Sequence, residues 1–553
     1  MRIVSSGKHG SEGAKGGTLK TTLKPFTKAR SVASARAPST LASFALAAIV
    51  TGIAIPAEAR APTQAGTTYT APVTQVDCPF TVPRGDTAAC FEAIVPRHYG
   101  DVSADGALPE DAPRLTIAVT VLSNFINVDD PDPIVMIAGG PGQGASQMLP
   151  GLARALQLRR TRSIVMVDQR GTGRSVPALT CDAASMLEFD ENRLNDPDLK
   201  PESPVEERLA QCLTDWREQG VDFNAFDTRS ATRDLQAIRR GLGIRQWNLH
   251  GTSYGARVAL DAMRVDPDGI RSVVLNSPQA VTPHFDAAFA ENRAKLFSQL
   301  FNDCAQDSYC SETFGDLEAQ IADIRAHLAD GDMDIYLRES PDSELTRISV
   351  GWNDVINGLY SHMNFAVGPE PVARYIHELS RMADGRLSLN DDEVLRIFQS
   401  SLHDDDFGIA IGMHMAVRCR EDVPAYNKAV AQAGAAKAPS VYAPDQSIHG
   451  YRLACAVMET VSVDAAFHAP VTSAIPTLVL TGDMDPLTPT LWAHDAAEAL
   501  DNAQLVSFRA MAHDIHSTSI CAQVITANFL DAPDGPVDAT CAESYRPVFA
   551  PAQ

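Results

Sequence analysis

Residues 245–265 read RQWNLHGTSYGARVALDAMRV, and this stretch decides the fold. The apolar run before Gly251 predicts a buried β-strand, and the run after Gly255 predicts an α-helix. Between them, G-x-S-x-G is typical of a sharp turn whose serine backbone is strained, because a side chain at either glycine would collide with the neighbouring strand or helix. We therefore expect Ser253 to present its hydroxyl at a helix N-terminus, although an ordinary flexible turn can have the same residues.

Short apolar runs alternate with helix-like stretches along the rest of the chain. Two early runs, EAIVP and LTIAVTVL, predict antiparallel strands. Six later runs are typical of buried parallel strands: PIVMIAG, SIVMVD, WNLHG, SVVLNS, TLVLTG and QLVSF. The segment TRDLQAIRRGLG predicts a helix before WNLHG. This alternation indicates an α/β protein with a doubly wound, mostly parallel sheet.

The pattern changes between about Thr282 and Ser473, where helical segments follow one another without clear strands. We interpret this region as a helical cap inserted between two strands of the sheet. A chain of 553 residues also exceeds what one hydrophobic core usually organises. The predicted parts are a signal peptide at 1–59, the first part of the core at 60–281, the cap at 282–473 and the second part of the core at 474–553.

The N-terminus is typical of a secretory signal. Basic residues dominate the first 36 positions, and the apolar run LASFALAAIVTGIAI leads to an A-x-A site ending at Ala59. A membrane anchor is the alternative, but about 15 apolar residues are fewer than the roughly 20 that a spanning helix needs. We expect cleavage after Ala59, no stable membrane insertion afterwards, and a periplasmic or extracellular protein.

The net charge and the spacing of the cysteines argue against several kinds of binding partner. The net charge is -23, and removal of 1–59, with eight bases and two acids, changes it to -29. Such a protein is repelled by nucleic acid and anionic membranes, so we expect neither as a partner. No C-x-x-C or other metal-ligand spacing occurs, and we predict neither a metal nor a cofactor.

The ten cysteines fall into five neighbouring couples in the predicted mature chain. In an oxidising compartment we expect disulfides between neighbours, whereas free buried thiols are the alternative. The predicted pairs are Cys78–Cys90, Cys181–Cys212, Cys304–Cys310, Cys419–Cys455 and Cys521–Cys541.

A serine hydroxyl becomes a good nucleophile when a base takes its proton and an acid orients the base. TLVLTGDMDPLTP places Asp483 and Asp485 beyond one apolar strand, and QLVSFRAMAHDIH places His513 and His516 beyond the next. The order Ser, Asp, His is the one that accompanies a G-x-S-x-G turn. We predict Asp485 as the acid because it lies further into its loop, and His513 as the base because it is nearer the strand end.

Acyl transfer also needs N–H donors for the developing oxyanion. The backbone N–H of Tyr254, directly after the serine, is one candidate. Gly140 in PIVMIAGGPGQG is the other, since Pro141 has no N–H. These glycines match neither G-x-G-x-x-G nor G-x-x-x-x-G-K-[ST], which argues against a nucleotide site.

Five features together carry a family resemblance: AGGPGQG (138–144), VDQRGTGRS (167–175), GTSYG (251–255), GDMDPLTP (482–489) and the late His513. They resemble the secreted α/β-hydrolase peptidases of the prolyl iminopeptidase and tripeptidyl aminopeptidase group, from about Cys78 to Cys541. The resemblance implies an α/β-hydrolase fold with a helical cap, and release of residues or short peptides from free N-termini. By position it assigns the nucleophile, acid, base and oxyanion donors to Ser253, Asp485, His513, Gly140 and Tyr254.

The resemblance also implies that Asp168, Arg170 and Arg174 organise loops near the site. Two positions depart from the family pattern. Ala138 replaces the histidine usual before GGPG, and Ala512 replaces the glycine usual before the catalytic histidine. Both residues are small enough to keep the backbone path, but any hydrogen bond of the missing imidazole is lost.

An aminopeptidase needs a carboxylate for the substrate's ammonium group, because a buried unpaired charge is costly. The segment VRCREDVP offers Glu421 and Asp422, for which a solvated acidic pair is the alternative.

We therefore predict a secreted serine hydrolase, an aminopeptidase acting on peptides with a free N-terminus. An esterase or acylhydrolase with the same triad is the alternative, and a non-catalytic binding protein on this scaffold is a third possibility. Oligomeric state, P1 preference and product length stay open.

Overall fold

A computed structural model describes residues 68–82, 85–125, 132–152, 157–181, 204–282, 285–329, 331–337, 346–364, 368–383, 408–425 and 455–550. The predicted signal peptide and its cleavage site lie outside these ranges. No helix within them is both long and apolar enough to cross a membrane.

Eleven strands are described. They are β1 (Val73–Val76), β2 (Ala88–Pro96), β3 (Arg114–Leu122), β4 (Ile134–Ile137), β5 (Ile164–Val167), β6 (Trp247–Thr252), β7 (Ile270–Asn276), β8 (Met333–Leu337), β9 (Thr346–Val350), β10 (Thr477–Gly482) and β11 (Ala503–Phe508).

Nine of these strands form one sheet in the order β1-β2-β3-β5-β4-β6-β7-β10-β11. The pairs from β1 to β5 are antiparallel, and the six strands from β5 to β11 are parallel. Every strand that the apolar runs predicted is present, and the two early ones are antiparallel as expected. The carboxyl ends of β6, β7 and β10 are neighbours at one edge of the sheet.

The α-helices of the described residues lie mostly between these strands. They are α1 (Leu149–Leu152), α2 (Pro204–Glu218), α3 (Thr228–Gly241), α4 (Tyr254–Val265), α5 (Phe285–Gln306), α6 (Ser308–Thr313), α7 (Leu317–Leu328), α8 (Trp352–Asn364), α9 (Glu370–Ala383), α10 (Ile411–Val417), α11 (Thr490–Ala499), α12 (Ile515–Thr518) and α13 (Ile520–Asp531). A π-helical turn, Arg418–Asp422, continues α10.

The central parallel strands are largely apolar because both of their faces are covered. In β4, Val135 and Ile137 belong to one hydrophobic cluster, and Ile134 and Met136 belong to another. Successive strand side chains point to opposite faces, so these two clusters are the cores above and below the sheet. This two-sided burial explains why the sequence shows continuous apolar runs rather than alternation.

The chain between β7 and β10 has a third hydrophobic cluster, built mainly from α5 to α9. Met484 and Ala510, from the loops after β10 and β11, also belong to this cluster. The described residues between β7 and β10 are mostly helical, but they also contain the antiparallel hairpin of β8 and β9, which the sequence pattern did not predict. The exact boundaries at 282 and 473 stay a prediction.

Five disulfides close short stretches of chain, and all five predicted pairs are present. The cysteines that they join are separated by between 6 and 36 residues. All cysteines of the described residues are paired.

Candidate active site

Ser253 lies at the turn between β6 and α4 with φ 58° and ψ -121°, a conformation that a non-glycine residue rarely adopts. The flanking glycines explain how the chain reaches it. A Cβ on Gly255 would lie 2.1 Å from the carbonyl oxygen of Ile137, and one on Gly251 would lie 2.3 Å from that of Gly255. The strand, turn and helix therefore have the geometry that the G-x-S-x-G motif predicts.

Asp485 and His513 are in direct contact. The Nδ1 atom of His513 lies 2.8 Å from Oδ2 of Asp485, and both side chains are buried. Oδ1 of Asp485 accepts hydrogen bonds from the backbone N–H groups of Leu487 and Thr488, each at 2.8 Å. The hydroxyl of Thr488 donates to Oδ2 at 2.6 Å and lies 3.2 Å from Nδ1 of His513.

These contacts lower the pKa of Asp485 and raise the pKa of His513. Burial alone would raise the pKa of Asp485, but the charge of His513 and the hydrogen bonds from Thr488 hold it below its usual range. Burial alone would lower the pKa of the His513 imidazole, but the charge of Asp485 and its hydrogen bond raise that pKa above 6.5. An ionised Asp485 therefore stabilises the positively charged form of His513.

Asp483 and His516, the alternative candidates for the acid and the base, have other partners. Asp483 pairs with Arg509 at 2.6 Å and accepts a hydrogen bond from the N–H of Ala510. His516 packs against His250, with ring centroids 4.5 Å apart, and burial lowers its pKa to about 4. Of the two pairs of candidates, it is Asp485 and His513 that contact each other.

The loop after β4 lies against the serine. A methyl group on Gly139 would be 3.7 Å from Oγ of Ser253, and Gly140 has φ 102°, which favours glycine. Tyr254 is the first residue of α4, so its N–H is one of those that have no acceptor inside the helix. Both predicted oxyanion donors thus belong to backbone segments next to Ser253.

Residues of the DQRG-x-G-x-S segment hold this edge of the sheet together. Asp168 accepts hydrogen bonds from the N–H and hydroxyl of Ser146 and from the N–H of Arg174, at 2.7 to 2.8 Å. Arg170 is fully buried and donates two hydrogen bonds to Asp234, at 2.7 and 2.6 Å. These contacts are between loops and a helix, which agrees with the organising role that the resemblance implied.

Glu421 and Asp422 are buried in a cluster of charges rather than exposed to solvent. Nη1 of Arg257 lies 3.2 Å from Glu421 and 3.0 Å from Asp422, and Arg418 lies 2.6 Å from Asp422. Thr228 donates to Glu421 through its N–H and its hydroxyl. Burial raises the pKa of Glu421 to about 7, against the lowering effect of Arg257.

This charge cluster is joined to the serine turn but does not include Ser253. The hydroxyl of Thr228 lies 3.0 Å from that of Tyr254, and Arg257 is one turn further along α4. The contacts of Glu421 and Asp422 are thus with core residues that support the turn. Their predicted contact with a substrate ammonium group stays a prediction.

Three further residues touch the candidate site and were missed by the sequence analysis. Thr488 contacts both Asp485 and His513, Asn292 donates to the backbone of Asp485, and Asn276 contacts the residues beside Ser253 and His513. Thr488 has a readable signal, because a hydroxyl three residues after an aspartate in a tight loop can return to its carboxylate. Nothing in the sequence marks the two asparagines.

Sequence comparisons agree with this geometry. Residues 132–313 match the family described as alpha/beta hydrolase fold, and residues 441–541 match the family described as TAP-like protein. The first match contains the GGPG loop and the G-x-S-x-G turn, and the second contains Asp485 and His513. Two matched regions therefore hold all the residues of the candidate site that the turn and triad patterns predicted.

Named relatives share only part of their length with this chain. Serine protease Hip1 of Mycobacterium tuberculosis is 28% identical over 241 residues, 40% of this chain and 42% of Hip1. A probable proline iminopeptidase of Streptomyces coelicolor is 25% identical over 46% of this chain and 61% of its own length. The crystal structure of a proline iminopeptidase from Mycobacterium smegmatis aligns with 76% of this chain and 96% of its own, at 13% identity and a TM-score of 0.33.

Proposed function

We propose that this protein is a serine hydrolase that cleaves peptides from free N-termini, because residues 132–313 match the alpha/beta hydrolase fold family and residues 441–541 match the TAP-like family. One observation carries the proposal. The buried Asp485–His513 pair and the strained Ser253 turn lie at the same edge of the sheet, in the chain order typical of a catalytic triad.

In the proposed mechanism, neutral His513 removes the proton of the Ser253 hydroxyl through Nε2 while that oxygen attacks the carbonyl carbon of the substrate. Asp485 holds the Nδ1–H of the imidazole and stabilises the charge that His513 acquires. The N–H groups of Gly140 and Tyr254 would donate to the oxyanion of the tetrahedral intermediate. His513 then gives its proton to the leaving amine, and water, activated by the same imidazole, hydrolyses the acyl-enzyme.

Two observations support the aminopeptidase specificity. Proline iminopeptidases are among the similar proteins, and the segment between β7 and β10 contains the acidic residues Glu421 and Asp422. Glu421 and Asp422 face two arginines, Arg257 and Arg418, and burial raises the pKa of Glu421 to about 7, so Glu421 is partly neutral near that pH. A substrate ammonium group would have to share Glu421 with Arg257. The alternative of an esterase remains, since the triad cleaves esters as well as amides.

Export is part of the proposal. The five disulfides are typical of proteins from an oxidising compartment, and they agree with the secretory signal that the sequence predicts. We expect the exported chain to begin near Arg60, which N-terminal sequencing of secreted material would measure. A secreted chain that begins at Met1 would contradict this part of the proposal.

The catalytic assignment is tested with Ser253→Ala, Asp485→Asn and His513→Ala. We expect each to lower kcat by about 10⁴-fold on peptide substrates, as triad substitutions usually do. His516→Ala, which removes a buried imidazole of similar size, should keep its activity per folded molecule. If His516→Ala is inactive and His513→Ala is active, the base is assigned wrongly.

The specificity is tested with matched peptides that carry a free or an acetylated N-terminus. We expect turnover of the free peptides alone, because acetylation removes the ammonium group. Glu421→Gln should then raise KM more than it lowers kcat, since the contact is remote from the bond that is broken. Equal rates on both peptides would refute the exopeptidase assignment, and faster turnover of simple esters would favour the esterase.

A further inference from the structure

Asn276 is the last residue of β7, and its side chain is fully buried between the two loops that carry Ser253 and His513. Its Nδ2 donates to the hydroxyl oxygen of Thr252 at 3.1 Å and to Oδ1 of Asp514 at 2.6 Å. Thr252 directly precedes Ser253, and Asp514 directly follows His513. One amide group therefore joins the two segments that must hold the nucleophile and the base.

The other polar atoms of Asn276 are used in the same way. Its backbone carbonyl accepts the N–H of Ser253 at 3.0 Å, and its Oδ1 accepts the N–H of His516 at 3.3 Å. The next residue, Ser277, accepts the N–H of Asp514 on its hydroxyl at 3.2 Å. The end of β7 thus contacts the serine turn on one side and the histidine loop on the other.

Three residues around Asn276 have positive φ without being glycine: Ser253 at 58°, Ser277 at 47° and Asp514 at 56°. Each such residue costs free energy and persists only where its surroundings fix it. The hydrogen bonds of Asn276 and Ser277 reach all three positions. They are the contacts that can hold the strained turn and the strained loop in one arrangement.

We propose that Asn276 is a positioning residue that sets the distance and angle between Ser253 and His513. The inference rests on the proposed function, because it assigns no chemistry to Asn276 itself. Loss of its Nδ2 donor would free the Asp514 loop from the serine turn. A misplacement of about 1 Å at a catalytic group can cost about 100-fold in rate. Substrate binding would be unaffected, since the side chain is buried beneath the two loops.

The test is Asn276→Asp, which keeps the shape, removes the donor and places a second carboxylate against Asp514. We expect kcat to fall by about 100-fold while KM changes less than about twofold. Labelling of Ser253 by a fluorophosphonate should slow in parallel, because it needs the same alignment. In the double variant N276D/D514N, the amide at position 514 can donate to the carboxylate at position 276, so the hydrogen bond returns with its direction reversed. Its kcat should be at least about tenfold higher than that of Asn276→Asp alone.

Asn248 provides a control. It is a fully buried asparagine near the N-terminal end of β6, whereas Ser253 follows the C-terminal end. Its Nδ2 also donates to an aspartate, Oδ2 of Asp132, over 3.2 Å. Asn248→Asp removes the amide donor at a buried site remote from Ser253, where Arg271 contacts both Asn248 and Asp132. We expect a loss of thermal stability but unchanged kcat. Equal falls of kcat in both variants would show that Asn276 acts only through stability, and would overturn the inference.

A second measurement protects the test if Asn276→Asp does not fold. In a double-mutant cycle of Asn276→Ala and Asp514→Ala, the losses of kcat should be less than additive, because both substitutions remove the same Asn276–Asp514 hydrogen bond. Additive losses would overturn the inference. If the wild-type protein shows no hydrolysis that depends on Ser253, the proposed function fails instead.

Discussion

The side-chain amide of Asn292 donates a hydrogen bond to the backbone carbonyl of Asp485 over 2.8 Å. Asn292 lies on α5, outside the strands of the sheet, so a helix of the inserted segment holds the loop of the proposed catalytic acid. The proposed base is held in a similar way, since the N–H of His513 donates to the carbonyl of Asn364, at the end of α8, over 2.9 Å. The segment between β7 and β10 therefore helps to shape the site.

Asn292→Leu should lower kcat by about three- to tenfold, the effect of losing one ordinary hydrogen bond of about 0.5–1.5 kcal/mol. Leucine keeps the branch at Cγ but cannot donate a hydrogen bond to the carbonyl of Asp485. Gln299→Leu on the same helix is the control, because its Nε2 has no hydrogen-bond partner among the described residues. Steady-state kinetics of both variants measure the difference, and equal kcat values would contradict the role of Asn292.

Thr488→Val should lower kcat by about 10- to 100-fold, since it removes a hydrogen bond of about 1.5–3 kcal/mol to a charged carboxylate. Without the hydroxyl, His513 is the one partner that Oδ2 of Asp485 keeps among the described residues, and the carboxylate can rotate. The control is Thr526→Val, at a fully buried threonine whose hydroxyl has no partner among the described residues. Unchanged kcat in Thr488→Val would show that the backbone N–H groups alone orient Asp485.

The acid limb of the pH profile should report His513. Its imidazole must be neutral to accept the serine proton, so kcat/KM rises as the pH increases through the pKa of His513. Because Asp485 raises that pKa above 6.5, the midpoint should lie above 6.5 in the wild-type protein. Asp485→Asn removes the charge and should move the midpoint of the residual activity to lower pH. A midpoint that does not move would mean that another group controls the limb.

The same pair links stability to pH. Since folding raises the pKa of His513, its contribution to stability is complete below pH 6.5 and is lost as the pH rises through the folded-state value. Thermal unfolding of the wild-type protein and of His513→Ala, compared across this range, should differ most at the acid end.

Removal of individual disulfides should destabilise the protein according to loop length. Cys419–Cys455 closes 36 residues and Cys304–Cys310 closes 6. From the chain-entropy relation, the longer loop should contribute about 1.6 kcal/mol more to the free energy of unfolding. Double alanine variants of each pair, compared by denaturant unfolding, measure the difference. A larger loss for the Cys304–Cys310 pair would show that native-state packing outweighs loop closure there.

Much of the core could be predicted because its signals are local. The strands β4 and β5 are continuous apolar runs, and Ser253 sits in a turn that only glycines at 251 and 255 permit. Asp485 and His513 follow strand ends, so the topology of a parallel sheet brings them to one edge. The cysteines pair with near neighbours, which made their connectivity readable from spacing.

The missed features depend on contacts between distant parts of the chain. Asn292 and Asp485 are 193 residues apart, and Asn276 and Asp514 are 238 residues apart. No local pattern encodes such contacts. The β8–β9 hairpin was missed because MDIYL and TRISV are short and lie among helices. The burial of Glu421 was missed for the same reason. Its charged, polar segment gives no sign that the side chain is fully buried against Arg257.

The five disulfides have a consequence for how the chain can be assembled. Their loops follow one another along the sequence without overlapping, from Cys78–Cys90 to Cys521–Cys541. Each bridge can therefore form as soon as its second cysteine becomes accessible, while later parts of the polypeptide are still being synthesised or translocated. Oxidation can proceed in order from the N-terminus, and correct pairing does not require the reshuffling that interlocked bridges would need.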